Sequence, residues 1–255
     1  MSVLSDLHRL GVTEADSLLV HSSFRSLGKD CGGIAELISA LRRAVCDGTL
    51  LIPALSYATV NAQNPYFDVN TTPSCIGAVP EFFRKLPDVS RSVHPTHSIA
   101  ACGAYADWFT CDHQTDETPV GPHSPLAKLR EKNGKILFLG CGLKPNTSMH
   151  GVEELANAPY LFLPEPVVYQ CTGAGGHVRQ IVCKRHNFRD GTYAYNQRYD
   201  RITEVLDAKY IRRGQAGPAD CYILETAPMW EAAQKAMRRE PLYFVEREYQ
   251  GGHAE

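Results

Sequence analysis

Short apolar runs alternate along the chain with segments whose apolar residues recur every three or four positions, which is the pattern of strands alternating with helices. An apolar run at 17–23 ends in small polar residues, and Gly32 and Gly33 then open a segment of helical spacing at 34–45. A second apolar run follows at 48–55. A strand, a loop, a helix and a strand in this order favour a parallel sheet covered by helices.

The same two periodicities predict the elements up to residue 142. Residues 56–74 fit neither, and they are rich in Asn, Pro, Tyr and Thr. A loop of this length inside a compact domain usually has a function. Helices are predicted at 1–12, 76–86, 106–113 and 124–134, and strands at 98–103 and 135–142.

The last third of the chain alternates more closely between apolar and polar residues, which is typical of antiparallel strands. Strands are predicted at 162–171, 176–186 and 220–229, and helices at 202–214 and 229–240. No repeat, linker or low-complexity tract interrupts the chain. We therefore expect a single α/β domain over residues 1–255, with a mixed, largely parallel central sheet flanked by helices and an antiparallel C-terminal part.

Composition narrows the class of protein. The 255 residues are 44% hydrophobic, enough for a sizeable core, and 26 basic residues nearly balance 28 acidic ones. No basic stripe favours a nucleic-acid partner, and no run approaches the roughly 18 apolar residues of a membrane span. The nine cysteines include no CxxC pair, so reduced thiols are expected. These features predict a soluble, cytoplasmic protein.

The segment NTSMHGVEE, at 146–154, combines a histidine with two carboxylates just after the strand at 135–142. As a helix start, it would use Asn146 or Thr147 as the N-cap and place both glutamates near the positive end of the helix dipole. His150 and Glu153 are three residues apart, so they share a helix face. A carboxylate that binds one ring nitrogen makes the other nitrogen a better base. Spacing alone leaves both interpretations open.

Three other segments offer chemistry. His94 and His97 flank a proline before the strand at 98–103 and form either a rigid turn or two ligands of a metal-dependent hydrolase that also uses His150. Cys141 is either a buried thiol or a nucleophile. The small-residue loop at 21–33 is either an ordinary connection or a phosphate cradle of backbone N–H groups.

Seven segments in a fixed order resemble the aminoglycoside 3-N-acetyltransferase family, which is distinct from the GNAT acetyltransferases. The resemblance extends from about residue 4 to residue 245. The segments are VHSSFRSLG, GTLLIPA, TTPSCIGAVPEFFRKLP, RSVHPTHSIAACG, GPHSPLAKL, GKILFLGCGLKPNTSMHGVEE and IRRGQAG.

The resemblance implies a mixed α/β fold and acetyl transfer from acetyl-CoA, the co-substrate, to a primary amine of an aminoglycoside or another amino-sugar-like acceptor, with no metal. It maps the active site onto His150 and Glu153. The acceptor side would include Tyr57, Asp68 and Asp190. The partner is a small-molecule amine, and a homodimer is possible. The implied CoA side comprises Ser22, Ser23, Ser26, Leu27, Gly28, Arg91, Ser92, His94, Pro95 and Ser98.

The expected chemistry is direct attack by the amine, with His150 as general base and Glu153 as the residue that orients it. Four alternatives stay open at this point: an acyl-enzyme on Cys141, transfer to a non-antibiotic biosynthetic amine, the metal-dependent hydrolase, and a CoA- or sugar-binding module without catalysis.

Overall fold

The computed structural model describes residues 2–28 and 32–251. Within them the α-helices are α1 (Val3–Arg9), α2 (Ile34–Ala44), α3 (Ala78–Phe83), α4 (Ala106–Thr110), α5 (Pro125–Glu131), α6 (Met149–Leu155) and α7 (Thr226–Arg239). The strands are β1 (Ser17–Ser22), β2 (Thr49–Pro53), β3 (Tyr66–Asp68), β4 (Ser90–Arg91), β5 (Ile99–Gly103), β6 (Lys135–Leu139), β7 (Val167–Thr172), β8 (Val178–Cys183), β9 (Tyr193–Gln197), β10 (Ile211–Ala216), β11 (Ala219–Glu225) and β12 (Val245–Tyr249).

The central sheet has seven strands in the order β10-β11-β6-β1-β2-β5-β4. The three most apolar strands, β6, β1 and β2, are parallel and lie at its centre. Both faces of these strands are buried, which explains why their sequences are continuous apolar runs. The strands on either side join antiparallel, and two small sheets, β12-β9 and β3-β7-β8, complete the strand structure of the described residues.

Alternate residues of the central strands pack into separate cores on the two faces of the sheet. Leu19 of β1 and Phe138 of β6 belong to the core that also contains Trp230 of α7. Their sequence neighbours Leu18 and Leu137 belong to the core formed with α2 and α3. Two helical layers therefore hold the sheet from both sides, and its strand ends form a rigid edge on which a site can be built.

The direction of β5 brings two distant segments to this edge. β5 is antiparallel to β2, with Ile99 opposite Pro53, so the start of β5 meets the end of β2. The ends of β1 and β6 lie at the same edge, where Ser22 pairs with Leu139. The turn at 94–97, which directly precedes β5, is therefore close to the residues that follow β1 and β6.

The predicted helix at 202–214 is wrong. Residues Tyr199–Glu204 and Ala208–Tyr210 form short 3-10 turns, and Ile211–Ala216 is strand β10. β10 pairs along its whole length with β11, and this pairing overrides the helical spacing of the local sequence. Strands β3, β4, β9 and β12 were also not predicted, and β3 lies within the segment at 56–74 that was expected to be a loop.

The predicted N-cap of the helix after β6 is wrong as well. The helix starts at Met149 with Ser148 as its cap residue, and no side chain caps it. Asn146 instead accepts a hydrogen bond from the Ser148 backbone within the preceding turn. No helix among the described residues combines the length and apolarity needed to cross a membrane.

Candidate active site

A cavity of about 700 Å³ opens at the edge of the sheet where β1, β2 and β6 end. Its walls come from six parts of the chain: the end of β1, the end of β2 with the residues that follow it, the segment at 76–80, the turn before β5, the turn that leads into α6, and the segment at 185–199. Parallel strands that end at one edge are a common place for a ligand site in open α/β sheets. The residues that line it and enter the chemistry below are His21, Ser22, Tyr57, His97, Lys144, Asn146, His150, Arg185, His186, Arg189, Tyr195 and Tyr199.

The histidine predicted to act as a base lies at the cavity wall on the first turn of α6. The Nδ1 of His150 is 3.2 Å from the Oε2 of Glu153, and the two side chains are 12% and 0% exposed. Gly151 allows α6 to pack tightly, because an added Cβ would lie 2.1 Å from a ring carbon of Trp230. The Trp230 indole N–H also donates to Ser148, so the start of α6 is fixed from two sides.

Three donors surround the buried carboxylate of Glu153. The hydroxyl of Tyr160 donates to Oε1 at 2.9 Å, and that of Tyr199 donates to Oε2 at 2.7 Å, beside the imidazole of His150. Burial and the charge of Glu153 raise the pKa of both phenols, so each keeps its proton and stays a donor. A carboxylate held in this way favours the His150 tautomer with its proton on Nδ1, which leaves the Nε2 lone pair free.

Three more histidines line the cavity. The ring centroid of His97 lies 5.5 Å from that of His150 and 4.8 Å from that of His186. His21, at the end of β1, stacks on Phe138. Burial and the charge of His150 lower the pKa of His21 to about 3, and burial followed by neighbouring histidines lowers the pKa of His97 and His186 well below the usual value. These rings are therefore neutral at physiological pH.

Glu154 has a different role from its neighbour Glu153. Its carboxylate accepts hydrogen bonds from the Val120 backbone at 2.9 Å and from the Nε2 of His186 at 2.8 Å. Burial raises the pKa of Glu154 to about 7. The two adjacent glutamates thus orient two different histidines, an arrangement that their place near a helix start does not reveal.

The CoA-side residues predicted at 22–28 are only partly at the cavity. Ser22 lines it, whereas Ser23 and Ser26 hydrogen-bond to each other at 2.9 Å in the short 3-10 turn Phe24–Leu27. Leu27 is buried, and Gly28 ends the turn with a φ of 74° that a residue with a side chain rarely adopts. Residues 29–31 of this loop lie outside the described residues.

Arg91 and Ser98, predicted on the CoA side, are buried and occupied by protein contacts. The guanidinium of Arg91 donates to the Ser98 hydroxyl at 2.9 Å and to the carbonyls of Ala54 and Thr72, each at 2.6 Å. Ser98 donates to the same Ala54 carbonyl. Burial lowers the pKa of Arg91 to about 9, which still leaves it protonated at neutral pH. These contacts tie the end of β2 to the start of β5, away from the cavity wall.

Ser92 and His94 are likewise inside the protein rather than at the cavity. Ser92 hydrogen-bonds to His113 at 2.9 Å and accepts the Ile99 N–H. The Nδ1 of His94 accepts the backbone N–H groups of Thr96 and His97, and its ring stacks on His113. These bonds build the rigid turn that presents His97, and Pro95 closes the turn by accepting a bond from Ser56.

The predicted acceptor residues are also only partly at the cavity. Tyr57 lines the cavity, but Asp68 and Asp190 do not. Asp68 accepts two backbone N–H groups of its own turn. Asp190 does the same and also accepts the hydroxyl of Tyr195, a lining residue that it holds in place.

The charge of the lining is basic. Lys144, Arg185 and Arg189 are at the wall, and no Asp or Glu lines the cavity among the described residues. The guanidinium of Arg185 donates to the carbonyls of Tyr57 and Val60, each at 2.6 Å, so it also anchors the loop at 56–64.

Cys141 does not have the surroundings of a nucleophile. It follows β6 but is not among the lining residues. Burial raises the pKa of its thiol to about 12, so almost no reactive thiolate exists at neutral pH. The structure instead brings together histidines from four distant segments. The sequence pointed to His150 as the base and to His97 as a candidate metal ligand, but it gave no site role to His21 or His186.

Comparison with known proteins gives a consistent result. The family model described as aminoglycoside 3-N-acetyltransferase matches residues 19–238. Aminoglycoside N(3)-acetyltransferase VIII of Streptomyces fradiae is 34% identical over 258 residues, which cover 88% of this chain and 86% of that protein. The apoenzyme structure of aminoglycoside acetyltransferase AAC(3)-IVa superposes with a TM-score of 0.78 at 30% identity, covering 96% of this chain and 90% of that one. The structure of AAC-IIIb as a binary complex with CoASH has a TM-score of 0.76 at 28% identity, covering 93% and 95%.

Proposed function

This chain belongs to the aminoglycoside 3-N-acetyltransferase family, and from that premise we propose that it acetylates a primary amine of an aminoglycoside or another amino-sugar-like acceptor, with His150 as general base. The family is one of acyltransferases, and its co-substrate is acetyl-CoA. The observation that carries the proposal is the hydrogen bond between the Nδ1 of His150 and the buried carboxylate of Glu153 at the cavity wall.

The reaction forms a C–N bond and breaks a C–S bond. The neutral amine attacks the thioester carbonyl, and the tetrahedral adduct gives the extra amine proton to the Nε2 of His150. The adduct then collapses to the amide and releases the CoA thiolate, which takes the proton back from the imidazolium. No acyl-enzyme is formed, so no nucleophilic side chain is needed.

Glu153 stabilises the charged form of His150 during this cycle. When His150 takes the proton, a full carboxylate lies 3.2 Å from its Nδ1 in a buried setting, where the attraction is stronger than in water. Tyr160 and Tyr199 keep that carboxylate in position. The backbone N–H groups near Ser22 and Asn146 are the candidates for binding the oxyanion, since both residues line the cavity.

Acetyl-CoA turnover with an amine panel tests this function. We expect free CoA thiol to appear only when an acceptor amine is present, in equal amount to the N-acetylated product found by mass spectrometry. Thiol release at the same rate without any amine would indicate hydrolysis and contradict the proposal, as would a protein that binds acetyl-CoA but turns over none of the panel.

A second acceptor class is favoured by the basic lining. A polycationic aminoglycoside gains affinity from carboxylates, whereas Lys144, Arg185 and Arg189 would repel it. A biosynthetic amine that carries little net positive charge, or an acidic group, would fit this lining better. The same panel separates the two classes when it pairs multi-amine aminoglycosides with single-amine and acidic amino sugars, and kcat/KM is compared at low and high salt.

The thiol offers a further test of direct transfer. We expect Cys141→Ala to keep kcat within about a few-fold of the unmodified protein, because a thiol with a raised pKa contributes little nucleophile. The measurement is thiol release together with a search for an acetylated protein by mass spectrometry. An inactive Cys141→Ala variant with native thermal stability, or a trapped acetyl thioester on Cys141, would replace direct attack with an acyl-enzyme route.

A further inference from the structure

Three histidine rings at the cavity form a nearly equilateral triangle. The ring centroids of His97, His150 and His186 are 5.5, 4.8 and 4.9 Å apart. One ring nitrogen from each lies within 4.8 Å of the others. Around a tetrahedral zinc with Zn–N bonds of about 2.0 Å, three imidazole centroids lie roughly 5 Å apart, so only small side-chain rotations separate this triangle from a coordination sphere.

Among the described residues, the hydrogen bonds of the three rings leave one nitrogen of each without a donor or acceptor role. The Nδ1 of His97 is bound to the Thr96 hydroxyl at 2.8 Å, the Nδ1 of His150 to Glu153 at 3.2 Å, and the Nε2 of His186 to Glu154 at 2.8 Å. Metal-ligating histidines are oriented in this way, by a hydroxyl or carboxylate on the nitrogen that does not face the metal. The remaining nitrogen of His186, Nδ1, is buried and has no hydrogen-bond partner in the part of the chain that the structure describes.

We propose that His97, His150 and His186 bind a divalent transition metal, with Zn²⁺ as the best match, and leave a fourth position open towards the cavity. Three imidazoles with an open position are a typical zinc donor set, and zinc is favoured by neutral nitrogen ligands. His94 is not part of this site: its ring centroid is 6.1 Å from that of His97, and the ring stacks on His113 at 4.6 Å.

Metal binding and acetyl transfer would exclude each other. The Nε2 lone pair of His150 serves as the base in one state and as a metal ligand in the other, and it cannot do both at once. Zinc should therefore inhibit the transferase, and an acceptor amine in the cavity should weaken zinc binding. This site adds a metal-dependent off state that the transfer reaction itself does not require.

Direct binding measurements test the site without relying on activity. We expect isothermal titration of the metal-free full chain with Zn²⁺ to give one site per chain. His186→Gln and His97→Gln, each checked for native thermal unfolding, should weaken that site by more than the roughly 10–100-fold that loss of an outer-shell partner costs, because each removes a ligand. With Co²⁺ as an optical probe, the d–d bands should have the high intensity typical of tetrahedral coordination. The absorption spectrum should lack a sulfur-to-cobalt charge-transfer band.

The chain provides a matched control. Among the described residues, the one other group of three potential ligands close together is Glu14, Cys46 and Asp47, all exposed. Cys46→Ser should leave the zinc affinity unchanged. The proposal is overturned if the unmodified chain shows no saturable zinc binding, if both histidine variants bind as tightly as it does, or if Cys46→Ser abolishes binding. Turnover that is unaffected by zinc at saturating occupancy would overturn the mutual exclusion.

Discussion

Replacing His150 by alanine is expected to lower kcat by about 10²–10⁴-fold, the contribution of a positioned general base. The loss should fall on kcat because, in the proposed mechanism, His150 takes the amine proton during the reaction and makes no contact with acetyl-CoA. Steady-state thiol release at saturating acceptor gives kcat, and isothermal titration with CoA gives the affinity. We expect the CoA affinity of His150→Ala to stay within about three-fold of the unmodified protein.

The control for this change is His177→Ala, which removes an exposed histidine on the turn between β7 and β8. It should have no effect on kcat. Free imidazole added to His150→Ala should restore part of the rate, because the deleted ring leaves room for a base of the same size. Full turnover by His150→Ala would exclude His150 as the base, and a large loss of CoA affinity would assign it to binding.

The central fold could be predicted from sequence because its elements are set by local patterns. β1, β2 and β6 are buried on both faces, so each is a continuous apolar run, and α2 carries its apolar residues at helical spacing. The helix prediction that included residues 211–214 was wrong for a physical reason. IRRGQA has no strong strand signal of its own, and its conformation depends on pairing with β11, a contact that local sequence does not encode.

The residues of the candidate site also fall into two groups, those whose contacts are local in sequence and could be predicted, and those whose contacts are long-range and could not. His150 and Glu153 could be paired from sequence because their contact is local, three residues apart on one helix. His21, His97 and His186 come from segments far apart in the chain and meet only through the sheet order. Tyr199, which binds both His150 and Glu153, lies in a 3-10 turn that the sequence did not reveal.

Polar residues near strand ends can either face a ligand or hold the edge together, and sequence does not separate the two roles. Arg91 lies at the predicted CoA side, yet its guanidinium is bound to backbone carbonyls inside the protein. The deciding quantity is burial, which depends on the segments at 54 and 72 rather than on the neighbours of Arg91. The net charge of −2 is similarly uninformative about a cavity whose lining is basic.

Glu153→Gln is expected to lower kcat by about 10²-fold, up to the full contribution of the base. The amide keeps the size of the carboxylate but brings an NH₂ group that needs an acceptor. With the amide nitrogen in the place of Oε2, 3.2 Å from the Nδ1 of His150, that group can donate to Nδ1 while the remaining amide oxygen still accepts from Tyr160. The imidazole proton would then move to Nε2, and the lone pair that should receive the amine proton would be lost from the cavity.

Glu154→Gln is the matched control for this substitution, because it makes the same chemical change one residue further along. Burial raises the pKa of Glu154 to about 7, so much of that side chain is already neutral, and it contacts His186 rather than His150. We expect its kcat to stay within about ten-fold of the unmodified protein.

The double variant His150→Ala with Glu153→Gln should be no slower than His150→Ala alone, because Glu153 acts through the ring that has been removed. If the two losses multiply instead, Glu153 acts on the reaction independently of His150, and its assignment as an orienting residue is wrong.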